Sequence, residues 1–128
     1  MALVEPAVPV DPLQAMRNHF AGAVDLETIH ELVTLALDTI PQGLADATRH
    51  AAAAALPDLA RAAHRVKGTA LALGLDQLSA AWIAIEQAAK AGDLNTARER
   101  VVACEPVVER TLVTLRTVQM EAKATKAG

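Results

Sequence analysis

Aromatic residues are almost absent from this 128-residue chain, which contains one phenylalanine (Phe20), one tryptophan (Trp82) and no tyrosine. β-Sandwiches and β-barrels favour aromatic and β-branched residues that alternate along each strand. Alanine is abundant instead, most densely in the run Ala51–Ala55, and alanine and leucine have high helix propensity. The composition therefore predicts an all-α protein.

Cysteine is equally scarce. Cys104 is the only one, which excludes an internal disulfide framework and a multi-cysteine metal site. His19, His30 and His50 do not pair at the i, i+4 spacing that places two metal ligands on one face of a helix. We therefore expect no bound metal or cofactor, and a helical bundle that ligates haem or a metal is a hypothesis without a ligand set.

The sequence also lacks long apolar runs and an excess of basic residues. No apolar stretch reaches the roughly 18 uncharged residues of a membrane-spanning helix, and no secretory signal is evident at the N-terminus. The formal net charge of −3 and the pI near 5.7 argue against binding to the phosphate backbone of nucleic acids. The nucleotide-binding motifs G-x-x-x-x-G-K-S/T and G-x-G-x-x-G are missing. We expect a cytoplasmic protein that binds neither nucleic acid nor a membrane.

Proline, aspartate and glycine divide the chain into segments. Residues 1–12 contain three prolines among small apolar residues and are expected to form a flexible leader. A helical domain is expected over residues 13–122, and residues 123–128 are expected to fray. Glycines after the first, third and fourth predicted helices end them. Three aspartates that precede helical segments are predicted N-caps: Asp11, Asp76 and Asp93.

Five helices follow from these boundaries. A short first helix covers residues 13–21, and a longer second helix is predicted to begin at Asp25 or Thr28. Three more long helices are predicted over residues 56–73, 76–91 and 94–122. Pro41 lies within the second helix, and the sequence alone does not decide whether it bends this helix or divides it. Short connections make consecutive helices antiparallel neighbours. The predicted fold is an antiparallel up-down four-helix bundle with a short additional N-terminal helix.

The third predicted helix has an apolar stripe and a polar face. At about 100° per residue, its six core positions fall on one side: Leu59, Ala62, Ala63, Val66, Ala70 and Leu73. His64 lies about 140° from Leu59 by the same arithmetic, and therefore on or beside the exposed face. Gly68 follows one turn later, although glycine within a helix costs about 1 kcal/mol relative to alanine. Lys67 adds a positive charge next to both residues.

The combination of His64, Lys67 and Gly68 admits two interpretations. An imidazole, a cation and a surface without side-chain bulk together suit a negatively charged group, such as a phosphoryl group on another molecule. The alternative is a solvated histidine with an incidental glycine. Spacing alone does not separate the two.

The residues around His64 carry a family resemblance. The hexapeptide His64-Arg65-Val66-Lys67-Gly68-Thr69 resembles the H-x-L/I/V-K-G-S/A/T signature of histidine-containing phosphotransfer (HPt) domains. Ala62-Ala63 before it and Leu73-Gly74 after it also fit the family. Leu78 and Ile85-Glu86 resemble its L-x-x-x-x-x-x-L/I-E/Q stretch. The resemblance covers roughly residues 25–115.

The resemblance implies a four-helix bundle that acts in a two-component phosphorelay. His64 would accept a phosphoryl group from an aspartate of one receiver domain and pass it to another receiver, downstream of a hybrid histidine kinase. Lys67 would help to neutralise the phosphoryl group, and Gly68 would leave room for the receiver. Such a carrier has no ATP site and no autokinase activity. Magnesium would belong to the receiver and not to this chain, which we expect to be a monomer.

Glu86 can be placed near His64 by geometry. The third and fourth helices turn near Gly74, with His64 about ten residues before the turn and Glu86 about eleven after it, so that antiparallel packing puts both at one level. A carboxylate there could accept the Nδ1–H of His64 and leave Nε2 as the nucleophile. The alternative is a solvent-facing Glu86 paired with Lys90 at i+4.

Four further residues are predicted to contact the receiver: Arg61, Arg65, Leu71 and Gln77. Leu71 is the most informative, because an exposed leucine beside the histidine would suit a small apolar docking patch. An alternative function is a non-phosphorylated helical docking module that regulates a kinase or a receiver by binding only. No sequence feature specifically supports that alternative.

Overall fold

The computed structural model describes residues 11–127 of the chain, and side chains as far as residue 125. Five helices lie in this range: α1 (Pro12–His19), α2 (Leu26–Ala52), α3 (Leu56–Ala72), α4 (Asp76–Lys90) and α5 (Leu94–Ala127). No strand occurs among these residues. The prediction of an all-α fold is confirmed.

The four longer helices form one bundle. α2 and α4 each pack against both α3 and α5, so that α2 lies diagonally opposite α4, and α3 diagonally opposite α5. The short α1 packs against α5. Short connections make consecutive helices antiparallel. This is the predicted up-down four-helix bundle with an additional N-terminal helix.

Two of the three predicted aspartate caps are present. Asp11 accepts the backbone N–H of Gln14 at 3.2 Å, immediately before Pro12 at the first position of α1. Asp93 accepts the backbone N–H of Thr96 at 3.1 Å and caps α5. Pro12 therefore belongs to α1, and residues 1–10 of the predicted leader lie outside the described residues.

α2 is one continuous helix. It begins at Leu26 because the preceding residue, Asp25, accepts the backbone N–H of Thr28 at 2.8 Å and caps the helix. Pro41 lies within α2 and removes one helical hydrogen bond. Ile40 and Ala47 on either side are fully buried, so packing against the bundle maintains the helix across the proline. The alternative of two short helices is thereby excluded.

Two expectations at helix ends, the cap of α4 and the end of α5, are wrong. Asp76 is the first residue of α4, and the cap position before it belongs to Leu75, which makes no side-chain capping bond. α5 continues to Ala127, beyond the predicted end at Ala122. Ala122 is fully buried, but the side chains of residues 123–125 after it are exposed, so this last part of α5 extends beyond the packed bundle.

The core contains the predicted apolar face of α3. All six predicted stripe residues are buried: Leu59, Ala62, Ala63, Val66, Ala70 and Leu73. Trp82 and Cys104 are also buried, and burial raises the pKa of the Cys104 thiol to about 11. α2 approaches α3 most closely at Gly43, where a Cβ would overlap the Cγ2 atom of Val66. The apolar stripe thus fixes which side of α3 faces outward.

Gly74 makes the turn between α3 and α4. Its φ of 70° is a left-handed conformation that glycine adopts without strain. The His19 ring packs against it, so that a Cβ at this position would lie 2.6 Å from His19 Nδ1. His19 Nε2 lies 3.0 Å from the carbonyl oxygen of Ala72 and donates to it. This turn sets the register in which α3 and α4 present their side chains to each other.

Candidate functional site

His64 stands on the outer face of α3. Its side chain is 66% exposed, whereas Ala63 and Val66 on the opposite face are buried. The prediction that His64 is not a core residue is confirmed. The ring is therefore accessible to another protein.

Glu86 holds one nitrogen of this ring. The distance from His64 Nδ1 to Glu86 Oε2 is 2.9 Å, and the Glu86 side chain is only 6% exposed. An ionised carboxylate can only accept hydrogen bonds, so Nδ1 must carry the proton. In the neutral ring Nε2 is then unprotonated and has a free lone pair.

Two lysines hold the same carboxylate. Lys67 Nζ lies 2.7 Å from Glu86 Oε1, and Lys90 Nζ lies 3.1 Å from Oε2. The bond from Lys67, with smaller contributions from Lys90 and His64, outweighs burial and lowers the pKa of Glu86 from 4.5 to about 2. Glu86 is therefore charged at neutral pH. The pair with Lys90 named in the alternative interpretation is present, but Glu86 is buried and does not face solvent.

Lys67 and Gly68 complete the centre of the site. Lys67 is directed to Glu86, and its side chain is 21% exposed. Gly68 lies one turn after His64 on the exposed side of α3, and among the described residues a Cβ there would meet no atom within 4 Å beyond its own stretch of helix. No packing contact within residues 11–127 therefore requires glycine at this position.

Three of the four predicted partner-binding residues lie close to His64 on α3. Arg61 precedes it by one turn and pairs with Asp58. Arg65 is the next residue and lies 3.6 Å from Asp46 of α2. Leu71 lies two turns beyond His64 and is 53% exposed.

Gln77 is placed differently. It is exposed, but it is the second residue of α4. Gln77 precedes Glu86 by nine residues, which at about 1.5 Å per residue places the two about 13 Å apart along the axis of α4. The structure therefore does not bring Gln77 next to His64, and its contact with a receiver stays a prediction.

An open depression of about 530 Å³ lies beside His64. Residues of α2, α3 and α4 line it, including His50 and Asp58, neither of which was assigned to the site from sequence. His50 comes close through the packing of α2 against α3, which no local pattern reveals, whereas Asp58 lies on α3 itself and pairs with Arg61. Within residues 11–127, no group of three or more His, Cys, Asp or Glu side chains could hold a metal ion.

Comparison with known protein families shows to which family the chain belongs. A model of the Hpt domain matches residues 31–122 of the chain. The chain belongs to the Hpt domain family. The match includes His64, Lys67, Gly68 and Glu86, and the family acts in histidine phosphotransfer within phosphorelays.

No curated protein and no solved structure matches the chain significantly. No helix of this Hpt domain, within its described part, is long and apolar enough to cross a membrane.

Proposed function

We propose that this Hpt domain is a histidine phosphocarrier that receives a phosphoryl group on His64 from the aspartate of one receiver domain and passes it to the aspartate of another. The observation that carries the proposal is the hydrogen bond from Nδ1 of the exposed His64 ring to the buried Glu86 carboxylate. This bond selects the tautomer in which Nε2 is the nucleophile.

Phosphoryl transfer exchanges one bond to phosphorus for another. The Nε2 lone pair of His64 attacks the phosphorus of the aspartyl phosphate, in line with the leaving oxygen. The P–N bond forms as the P–O bond breaks, and the aspartate carboxylate leaves with the electron pair. No proton moves, because the ring keeps its Nδ1 proton and becomes positively charged. The reverse exchange with a second receiver returns the phosphoryl group to a carboxylate oxygen.

Glu86 is a positioning residue in this step. It fixes the ring orientation through Nδ1, and its negative charge faces the positive charge that develops on the imidazole. The two lysines keep Glu86 ionised despite its burial. The carboxylate thus needs no reorganisation during transfer.

Lys67 would neutralise charge on the phosphoryl group, and Gly68 would make room for the donor receiver. Lys67 Nζ binds the Glu86 carboxylate that also binds His64, so its ammonium group lies near the ring that would carry the phosphoryl group. There it would offset the negative charge of the transferred group. Gly68 leaves open space on the same side of α3 for the receiver.

The partners follow from this chemistry. Receiver domains supply and accept the phosphoryl group and carry the magnesium ion, and a hybrid histidine kinase is the source upstream. All site residues come from one chain, so a monomer suffices. A cytoplasmic location is part of the proposal, and its support is that the single cysteine is a free thiol, since disulfides are rare in reducing compartments.

A labelling experiment tests the proposal. Receiver domains phosphorylated with radiolabelled acetyl phosphate are incubated with the wild-type chain, with His64→Gln and with the matched variant His30→Gln on α2. We expect an acid-labile, alkali-stable label on the wild type and on His30→Gln, and no label on His64→Gln. An unlabelled wild type that binds a receiver as tightly as His64→Gln does would instead favour the docking module.

A further inference from the structure

The exposed face of α3 has two chemically different halves. Arg61, His64, Arg65, Gly68 and Leu71 recur at spacings of three and four residues, which places them along one side of the helix. All five are exposed. The half toward the N-terminus of α3 carries two guanidinium groups, and the half toward the C-terminus carries a glycine and a leucine. His64 lies within the charged half, between Arg61 and Arg65, and the boundary between the halves follows Arg65.

The charged half makes the site positive on an acidic protein. Five basic side chains lie on or beside it: Arg49, Arg61, Arg65, Lys67 and Lys90. Three carboxylates pair with them: Asp46, Asp58 and Glu86. The local charge is therefore positive, although the chain has a formal net charge of −3. The paired side chains on and beside this half thus carry a summed charge opposite in sign to that of the whole chain.

The arginines of this half remain available to a partner. The side chains of Arg61 and Arg65 are 70% and 68% exposed, even though each pairs with an aspartate. Exposed ion pairs of this kind contribute little to stability, so they exchange easily. Each guanidinium group has five N–H donors and can bind a second carboxylate in a bidentate arrangement.

The apolar half offers contact area without charge. Leu71 is exposed, whereas Leu59 and Val66 on the opposite side of α3 are buried. Gly68, one turn before it, leaves the helix backbone open to close approach. A surface patch of this kind gains free energy only when a complementary apolar surface covers it.

We propose that this polarised face selects and orients the receiver, which presents carboxylates to Arg61 and Arg65 and an apolar patch to Gly68 and Leu71. The inference rests on the proposed function and adds the chemistry of the partner surface and its direction along α3. The opposite orientation would place carboxylates over Leu71 and leave both arginines against apolar groups, which costs desolvation on both sides. One docking direction then brings the phosphoaspartate over His64.

The two halves contribute to docking in separable ways. Charge acts over a distance comparable to the Debye length, so Arg61 and Arg65 raise the association rate and salt weakens their effect. Burial of Leu71 slows dissociation, and salt hardly changes that contribution. Transfer kinetics at two salt concentrations therefore distinguish the halves.

The experiment uses the receiver that labels the wild-type chain fastest. Initial transfer rates are measured against receiver concentration at ionic strengths of about 0.03 M and about 0.5 M. The charge variant is Arg61→Ala with Arg65→Ala. Its control is Arg110→Ala with Arg116→Ala, which changes the net charge equally. Both of these arginines are exposed on α5, the helix diagonally opposite α3. Leu71→Ala is compared with Val113→Ala, which is 60% exposed on α5.

We expect the charge variant to lower kcat/KM about tenfold at low salt and less than about twofold at high salt, with kcat unchanged. Leu71→Ala should raise KM about fivefold at both salt concentrations. Both α5 controls should match the wild type. A charge variant with the same salt dependence as the wild type, or a Leu71→Ala effect that disappears in high salt, would overturn the polarised docking face. Failure of every receiver to label His64 would instead overturn the proposed function itself.

Discussion

Glu86 on α4 accepts a hydrogen bond from His64 Nδ1 on α3, with 2.9 Å between the two heavy atoms. The residues are distant in sequence but lie at one level, because the turn at Gly74 makes α3 and α4 antiparallel. The bond joins a buried carboxylate to an exposed ring, so the bundle interior determines which nitrogen of the ring is free. This relationship connects the fold to the chemistry at the surface.

Replacement of Glu86 by glutamine should slow phosphoryl transfer. The amide can accept from Nδ1 or donate to it, so the tautomer is no longer fixed and the positive charge on the ring loses its partner. A loss of about 1.4 kcal/mol of transition-state stabilisation corresponds to a tenfold slower transfer. Single-turnover transfer and ¹⁵N NMR of the His64 ring measure both effects, with the exposed Glu105→Gln as control. Unchanged rate and tautomer in Glu86→Gln would contradict the positioning role.

Glu86 should also make stability depend on pH in the acidic range. Its pKa is lowered from 4.5 to about 2 in the folded protein by Lys67, Lys90 and His64. The unfolded chain therefore binds more protons between these values, and the contribution of Glu86 is fully present above about pH 4.5 and is lost as the pH falls toward 2. Urea unfolding over this range should show a steeper loss of stability for the wild type than for Glu86→Gln. Parallel curves for the two proteins would show that Glu86 is not held as a charged group.

Gly68→Ala should separate stability from function. A methyl group at this position meets no atom of the described residues within 4 Å beyond its own stretch of helix, so alanine should stabilise α3 by about 1 kcal/mol. The same methyl group projects into the space proposed for the receiver, and transfer should become slower. Gly43→Ala is the contrasting variant, because its Cβ overlaps Val66 and should destabilise the bundle. A Gly68→Ala protein that transfers at the wild-type rate would remove the proposed reason for this glycine.

Gly74→Ala should destabilise the fold more than Gly92→Ala. Both glycines have positive φ, 70° and 75°, so both substitutions carry the strain of a left-handed alanine, about 1 kcal/mol. Only at Gly74 would the Cβ also lie 2.6 Å from the His19 ring. We expect an additional loss of about 1–2 kcal/mol from this overlap, measured by urea unfolding of both variants. Equal losses would mean that α1 moves freely away from the turn.

Much of this site could be predicted because it lies on a single helix. The period of α3 assigns His64 and Gly68 to the outer face as soon as the apolar stripe is recognised. Glu86 could be added because a short turn at Gly74 fixes the register between neighbouring helices. The bundle itself follows from alanine-rich helices with short connections.

Other features depend on packing that the sequence does not encode locally. The period places Lys67 beside His64, but only the fold shows that its flexible side chain reaches Glu86. His50 reaches the same depression through the contact of α2 with α3. Gly43 had a signal that was missed, since it continues the apolar period of Ile40 and Ala47. α5 extends past Ala122 with exposed side chains at residues 123–125, and no packing contact or cap signal in the sequence marks its end.

The central claim is that the phosphoryl group is carried on Nε2 of His64. The direct test is NMR of the ¹⁵N-histidine-labelled chain after phosphorylation by a receiver, which detects coupling between phosphorus and a ring nitrogen. The account predicts that phosphorus couples to Nε2 of His64, while Nδ1 keeps its proton and its bond to Glu86. Phosphorus on Nδ1, or on any residue other than His64, would contradict it.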